Sequence, residues 1–247
     1  MKNRIFLLVS IVLVCLTGAM AQEGPSQKVA GGGIRVKGWA GKIDAKEQAA
    51  GLALENAKLV KEGNALHVTT GPAVTYWNAK NRAKGNYTVS ATFHEPKYMS
   101  LNNHPHPYGI VIAGNDLGTE QQSYLYCAAY GNGTFIVRGF GPQPFQLNGR
   151  PAADPSVNKA AGVGQPVTQE IAITVMGNHV SCSINKKVVA TYNKSDLVTA
   201  GRLKSTDGVY GIRFAHNTDA IVTGLKVTKA NLTSFWLVPA GAAPPKP

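Results

Sequence analysis

The sequence predicts an all-β protein, an antiparallel two-sheet β-sandwich of the jelly-roll kind with one short helix near its N-terminus. Three observations carry that prediction. Beyond residue 56, nearly every segment alternates apolar and polar residues with a period of two, the mark of strands with one buried face. Those segments are bounded by Gly, Asn, Asp or Pro, the residues that turn a chain. Turn signals recur every eight to twelve residues or so, giving roughly ten to twelve short strands, which calls for two packed sheets.

The chain opens with Lys2 and Arg4, an apolar run from Ile5 to Leu16, and small residues ending Ala19-Met20-Ala21. This succession predicts a secretory signal peptide over 1–21, with an apolar run too short for a comfortable membrane span. Cys15 lies inside that run, so the cysteine a lipid anchor needs is out of place. No later segment is apolar enough to cross a bilayer. A Gly-rich stretch over 22–37 reads as a flexible leader, and 44–55 as the short helix.

The domain proper is expected over 38–230. In 87–93, Tyr87, Val89, Ala91 and Phe93 share one face of a strand, and Thr88, Ser90 and Thr92 the other. Residues 123–130 and 134–140 form a hairpin around Gly131-Asn132-Gly133, residues that tolerate positive φ. Residues 170–192 read as a three-strand meander turning at Gly177-Asn178 and at Lys186-Lys187, and 209–228 as a closing pair turning at 217–219. Two segments break the rhythm. The connection 141–166 is rich in Pro, Gly and Ala and long enough to suggest a functional or mobile loop. The tail over 231–247 ends PAGAAPPKP and should be disordered at its tip.

Without Lys2 and Arg4 the chain keeps 23 basic against 13 acidic residues, a net charge near +10. The basic residues are scattered, and there is neither a basic helix nor an aromatic RNA-binding signature, which argues against nucleic acid. Anionic polysaccharide or an envelope surface suits such a charge better. Two cysteines follow the leader, Cys127 and Cys182; in an exported protein they pair as a disulfide or stay as buried thiols, and the sequence leaves both open.

The pieces Gly38-Trp39, 66–78 (LHVTTGPAVTYWN), 85–93 (GNYTVSATF), 108–117 (YGIVIAGNDL), 124–126 (YLY), 177–192 (GNHVSCSINKKVVATY) and 207–227 (DGVYGIRFAHNTDAIVTGLKV) resemble the exported bacterial branch of the concanavalin A-like lectin/glucanase jelly rolls. They are similar in particular to laminin-G-like domains and to the 3-keto-disaccharide hydrolase family. The resemblance implies a sheet whose face or rim binds glycans. It implies no reaction, because this fold hosts lectins, binding modules, glucanases and lyases alike. The glucanase pattern E-x-D-x-x-E is missing here, which argues against retaining hydrolysis by that mechanism.

Strand parity selects the side chains that could meet a ligand. With Leu125, Cys127 and Ala129 inward, Tyr124, Tyr126 and Tyr130 turn outward; with Phe135 and Val137 inward, Arg138 turns outward; with Tyr210, Ile212 and Phe214 inward, so does Arg213. Tyrosines that stack on sugar rings beside arginines that take hydroxyls make a plausible glycan surface. Tyrosines also suit any half-buried strand.

In 103–109, NHPHPYG, the prolines fix φ and remove backbone donors, so the segment is an extended lead-in to a strand. His104 and His106, two apart on an extended chain, point the same way. They are candidates for ligand contact and for two-point metal binding, which needs a third ligand; Asp116, Glu120 and His94 are available in the sequence. The stiff lip of a loop would look the same. In 114–122, GNDLGTEQQ, Asp116 and Glu120 are candidates for calcium or, with His106, for acid–base catalysis, and Asn115 for ligand contact; a loop that turns on Asn and Asp for backbone reasons looks identical.

The leading expectation is therefore an exported, periplasmic or extracellular domain that binds a poly- or oligosaccharide, with no cofactor expected and calcium as the one candidate. The alternatives are a glycoside hydrolase or lyase of the 3-keto-disaccharide hydrolase type, and an envelope structural or adhesion protein that holds anionic polymer.

Overall fold

The alternating segments form strands in the computed structural model, which describes residues 24–231. The expected signal peptide and almost all of the expected tail lie outside the described residues. In chain order the strands are β1 (Gly33–Ile34), β2 (Trp39–Ile43), β3 (Ala57–Glu62), β4 (Ala65–Thr70), β5 (Val74–Ala83), β6 (Tyr87–Glu95), β7 (Tyr108–Asn115) and β8 (Ser123–Ala129). They continue as β9 (Thr134–Phe140), β10 (Pro144–Gln146), β11 (Ala152–Ala153), β12 (Val167–Met176), β13 (His179–Ile184), β14 (Lys187–Asn193), β15 (Gly208–Phe214) and β16 (Asp219–Lys229). Among the described residues there are also two short α-helices, α1 (Ala45–Ala49) and α2 (Lys194–Leu197), and a single 3-10 turn at Leu54–Asn56.

The strands make two sheets. The first runs β1-β3-β4-β16-β6-β12-β13-β14, and the second β10-β9-β8-β7-β15-β5-β2, with β11 also on β9. Every pairing is antiparallel except β1 with β3. One core fills the space between the sheets, with Tyr76, Tyr108, Ile110, Ile112, Leu125 and Phe214 from the second facing Leu59, Phe93 and Ile171 from the first. Cys127 of β8 and Cys182 of β13 close a disulfide across this core, with Cα atoms 6.1 Å apart. The two thiols therefore pair, and the bridge ties one sheet to the other.

Four details depart from the sequence reading. The helix stops after Ala49 instead of running to 55, because Gly51 takes φ +79° and supplies the left-handed stop of a helix C-terminus. The stretch 22–37 is part of the domain from residue 24 onward: Gln27 N–H donates to Asn217 Oδ1 at 2.8 Å, Val29 N–H to Asn56 O at 3.1 Å, and β1 pairs β3. The connection 141–166 is not structureless, since β10 and β11 both fold back onto β9. The last turn of the meander sits one residue early, at Asn185 and Lys186, whose φ values of 49° and 69° fit a tight hairpin.

Candidate functional site

The face of the second sheet that turns away from the first has its own apolar cluster. Val111, Tyr124, Tyr126, Ala128 and Ile136 are all buried there, with Tyr130 and Phe140 packed at the edge. Alternation along β8 and β9 sends Leu125, Cys127, Phe135 and Val137 to the inter-sheet core and their neighbours to this second cluster.

Above the cluster lies a cavity of about 440 Å³. Its floor includes Tyr126, Ile136 and Arg213; one wall is β10, with Phe145 and Gln146; another is the start of α1, with Lys46. Gly139 sets the β10 wall. A Cβ there would lie 2.1 Å from the Phe145 ring, so only glycine lets β10 fold flat onto β9. Tyr130 and Arg138 also line the cavity, as do the two His-Pro pairs.

Arg213 is held, not displayed. Its guanidinium pairs with both Asp44 oxygens, Nη1 to Oδ1 at 2.9 Å and Nη2 to Oδ2 at 2.6 Å, and lies 5.1 Å from the Tyr126 ring centre and 4.9 Å from that of Phe140. Burial pulls its pKa down, but Asp44 and the neighbouring tyrosines outweigh burial, and the net direction is up. Tyr124 lies beneath the floor and outside the cavity lining: it is 1 % exposed, and its hydroxyl is hydrogen-bonded to Thr75 Oγ1 at 2.9 Å. Burial raises its pKa. Arg138 differs from Arg213. Its Nη2 reaches only Gly149 O, at 3.4 Å, and its buried Nε finds no hydrogen-bond partner among the described residues.

The histidines meet through sheet register. β15 pairs β7 with Phe214 opposite Tyr108, and Ala215 N–H continues the ladder to Pro107 O at 2.9 Å. Two residues beyond that pair, His216 therefore comes opposite His106, with ring centres 4.0 Å apart. His104 adds a third ring, 4.3 Å from His106 and 6.2 Å from His216. One ring nitrogen from each lies within 4.8 Å of the others, and all three residues line the cavity. His106 is buried; desolvation and the neighbouring His216 lower its pKa to about 3, so it stays neutral at ordinary pH.

No family model and no curated protein matches the chain. Solved structures do. A Bacillus subtilis protein of unknown function with a galectin-like fold matches at TM-score 0.52 and 14% identity, over 84% of this chain and 97% of that one. The carbohydrate binding module CBM66 of Bacillus subtilis matches at TM-score 0.51 and 5% identity, over 81% of this chain and 99% of that one. At these identities the likeness is one of fold alone, a galectin-like two-sheet sandwich of the jelly-roll kind.

In this jelly roll the acidic loop stands apart from the cavity. Asp116 is ion-paired with Lys204, and Glu120 with Lys42 at 2.7 Å, so neither carboxylate faces the histidines and each already has a cation. Asn115 also lies outside the cavity, its amide donating to Ala113 O and Asp207 O at 3.0 Å. The third partner of His104 and His106 is His216, not Asp116, Glu120 or His94. Sequence reasoning placed His216 at the end of a strand but could not see across the sheet; the Tyr108–Phe214 register would have found it.

Proposed function

We propose that the cavity on the outer face of the second sheet binds a saccharide, and that the protein is an exported, periplasmic or extracellular carbohydrate-binding domain. One observation carries this reading: Tyr126, Tyr130 and Arg138 line a single cavity, and the Arg138 guanidinium makes only one long hydrogen bond among the described residues, Nη2 to Gly149 O at 3.4 Å. A guanidinium carries five N–H donors, so Arg138 has donors to offer a sugar hydroxyl or carboxylate. The aromatic edges of Tyr126, Phe140 and Phe145 offer apolar surface for a pyranose face. The volume falls in the ordinary small-ligand range, about 300–1,000 Å³. The likeness to a carbohydrate binding module supports the reading through fold alone.

An affinity-gel panel of neutral and acidic polysaccharides tests it. At least one gel should retain the protein, and Arg138→Ala, folded by circular dichroism, should lose retention at least about tenfold. Retention that ignores sugar identity and collapses in high salt would point instead to the basic surface and an anionic polymer.

A second reading, cleavage of a glycoside by hydrolysis or elimination, draws on the three histidines in the same cavity. It requires product release from modified disaccharides and loss of that activity in His106→Ala.

A further inference from the structure

We propose that His104, His106 and His216 form a binding site for one divalent transition-metal ion, zinc or a first-row neighbour, opening on the cavity. Three imidazoles with no thiolate and no carboxylate among them suit zinc, copper, nickel, cobalt or ferrous iron, and do not suit calcium or magnesium, which take oxygen ligands.

The spacing fits. Nitrogens bound tetrahedrally at about 2.0–2.1 Å from a zinc ion stand roughly 3.3 Å apart. Here the Nε2 atoms of His104 and His106 are 2.6 Å apart, and the three candidate nitrogens span at most 4.8 Å. Displacements of about an ångström bring the set to ligation distance.

The outer hydrogen bonds orient the rings as metal sites require. His106 Nδ1 is engaged away from the cluster, by the His216 carbonyl oxygen and by Asn102 Nδ2 at 2.8 Å, which leaves its Nε2 turned to His104. His216 Nδ1 is 3.1 Å from Ser26 Oγ, whose own proton goes to Glu47 Oε2 at 2.7 Å; the hydroxyl therefore accepts from His216, and a carboxylate–serine–histidine relay fixes that ring too. His104 Nδ1 is 2.7 Å from Asn103 Oδ1, which accepts in the same way. With each Nδ1 engaged outward, His104 and His106 bring their Nε2 atoms together, and one ring nitrogen of His216 lies within 4.8 Å of the ligand atoms of both.

The backbone holds the ligands in place. Pro105 and Pro107 stiffen the segment that carries His104 and His106, and Ala215 N–H to Pro107 O fixes it against the end of β15. Three protein ligands on one side leave a fourth position toward the cavity, the arrangement in which a bound ion can meet a water or a ligand hydroxyl.

Zinc titration of the untagged protein by calorimetry, with metal content measured after gel filtration, tests the site. Wild-type protein should retain one zinc ion per chain, and cobalt(II) should give the visible absorption of a four-coordinate ion. His104→Ala and His216→Ala should each weaken zinc binding at least about tenfold, while His94→Ala and His179→Ala leave it unchanged. His216 is buried and its variant could lose the fold; His104 is only partly buried, so a folded His104→Ala protein keeps the test decisive. Absence of retained zinc, or equal retention by folded His104→Ala, overturns the proposal whatever the outcome of the sugar panel.

Discussion

His106 and His216 face each other with ring centres 4.0 Å apart because they extend an antiparallel pair, each two residues beyond the Tyr108–Phe214 contact. Their meeting is a property of the sheet and not of any local motif. The 110 positions that separate them in sequence include nine strands, β7 to β15, and the whole 141–166 excursion. The same strand ends carry Arg213, so the histidine cluster and the cavity floor are built on one rigid frame.

The Asp44–Arg213 pair fixes the floor of that cavity. Both side chains are largely buried, so removing one leaves the other desolvated without a partner. Asp44→Ala should cost about 3–5 kcal/mol in urea unfolding. The double variant Asp44→Ala/Arg213→Met should lose less than the two single variants together. Additive losses would show that the pair is not coupled.

The inter-sheet disulfide closes a segment of 55 residues. In the chain-entropy account a loop of that length stabilises by about 4 kcal/mol. Cys127→Ala/Cys182→Ala should lower the unfolding free energy by that order while the strand content seen by circular dichroism persists.

Glu95 makes stability depend on pH. It ends β6 inside the fold, where burial raises its pKa to about 7 and the Met99 N–H at 3.1 Å offsets only part of that. Its Oε2 and the hydroxyl of Tyr108 are both buried, and that hydroxyl, like the Met99 N–H, favours the ionised carboxylate without outweighing burial. A carboxyl whose folded pKa lies above its unfolded value contributes stability that is complete below about pH 4 and is lost as pH rises through about 7. The loss should be on the order of 3 kcal/mol between those limits, at about 1.4 kcal/mol per pH unit. Glu95→Gln should flatten that part of the profile. An unchanged slope would mean that Glu95 is ionised in the folded protein.

Gly139 is where the excursion's contact with β9 can be broken. A methyl group there meets the Phe145 ring, so Gly139→Ala should cost about 1–3 kcal/mol and push β10 off β9. Ligand retention should fall with it, because β10 is a cavity wall. Restored retention in Gly139→Ala/Phe145→Ala would place the effect on the wall's position and not on lost backbone freedom.

The two-layer architecture was legible because period-two alternation is a direct consequence of the pleat, and in β8 and β9 it separated inward from outward residues correctly. What alternation cannot report is what covers an outward face. Tyr124 and Arg213 point away from the inter-sheet core as the pattern requires, yet Phe140 stacks on Tyr124 with ring centres 4.9 Å apart, and Arg213 is consumed by Asp44. β10 was missed because three residues bounded by prolines and glycines carry no periodic signal, and β1 because two residues carry none at all. The acidic loop misled for a related reason. Asp116 and Glu120 are close in sequence, but their partners, Lys204 and Lys42, come from distant segments that sequence spacing does not bring together.

The central claim, that the cavity above β8 and β9 is the ligand site, is met most directly by amide chemical-shift mapping with a saccharide that the protein retains. The account predicts shifts concentrated in β9 around Arg138, in residues 144–146 and at 104–107, saturating with the affinity measured for retention. Shifts gathered instead around Asn115 and Asp207, or spread evenly over the basic surface, would contradict it.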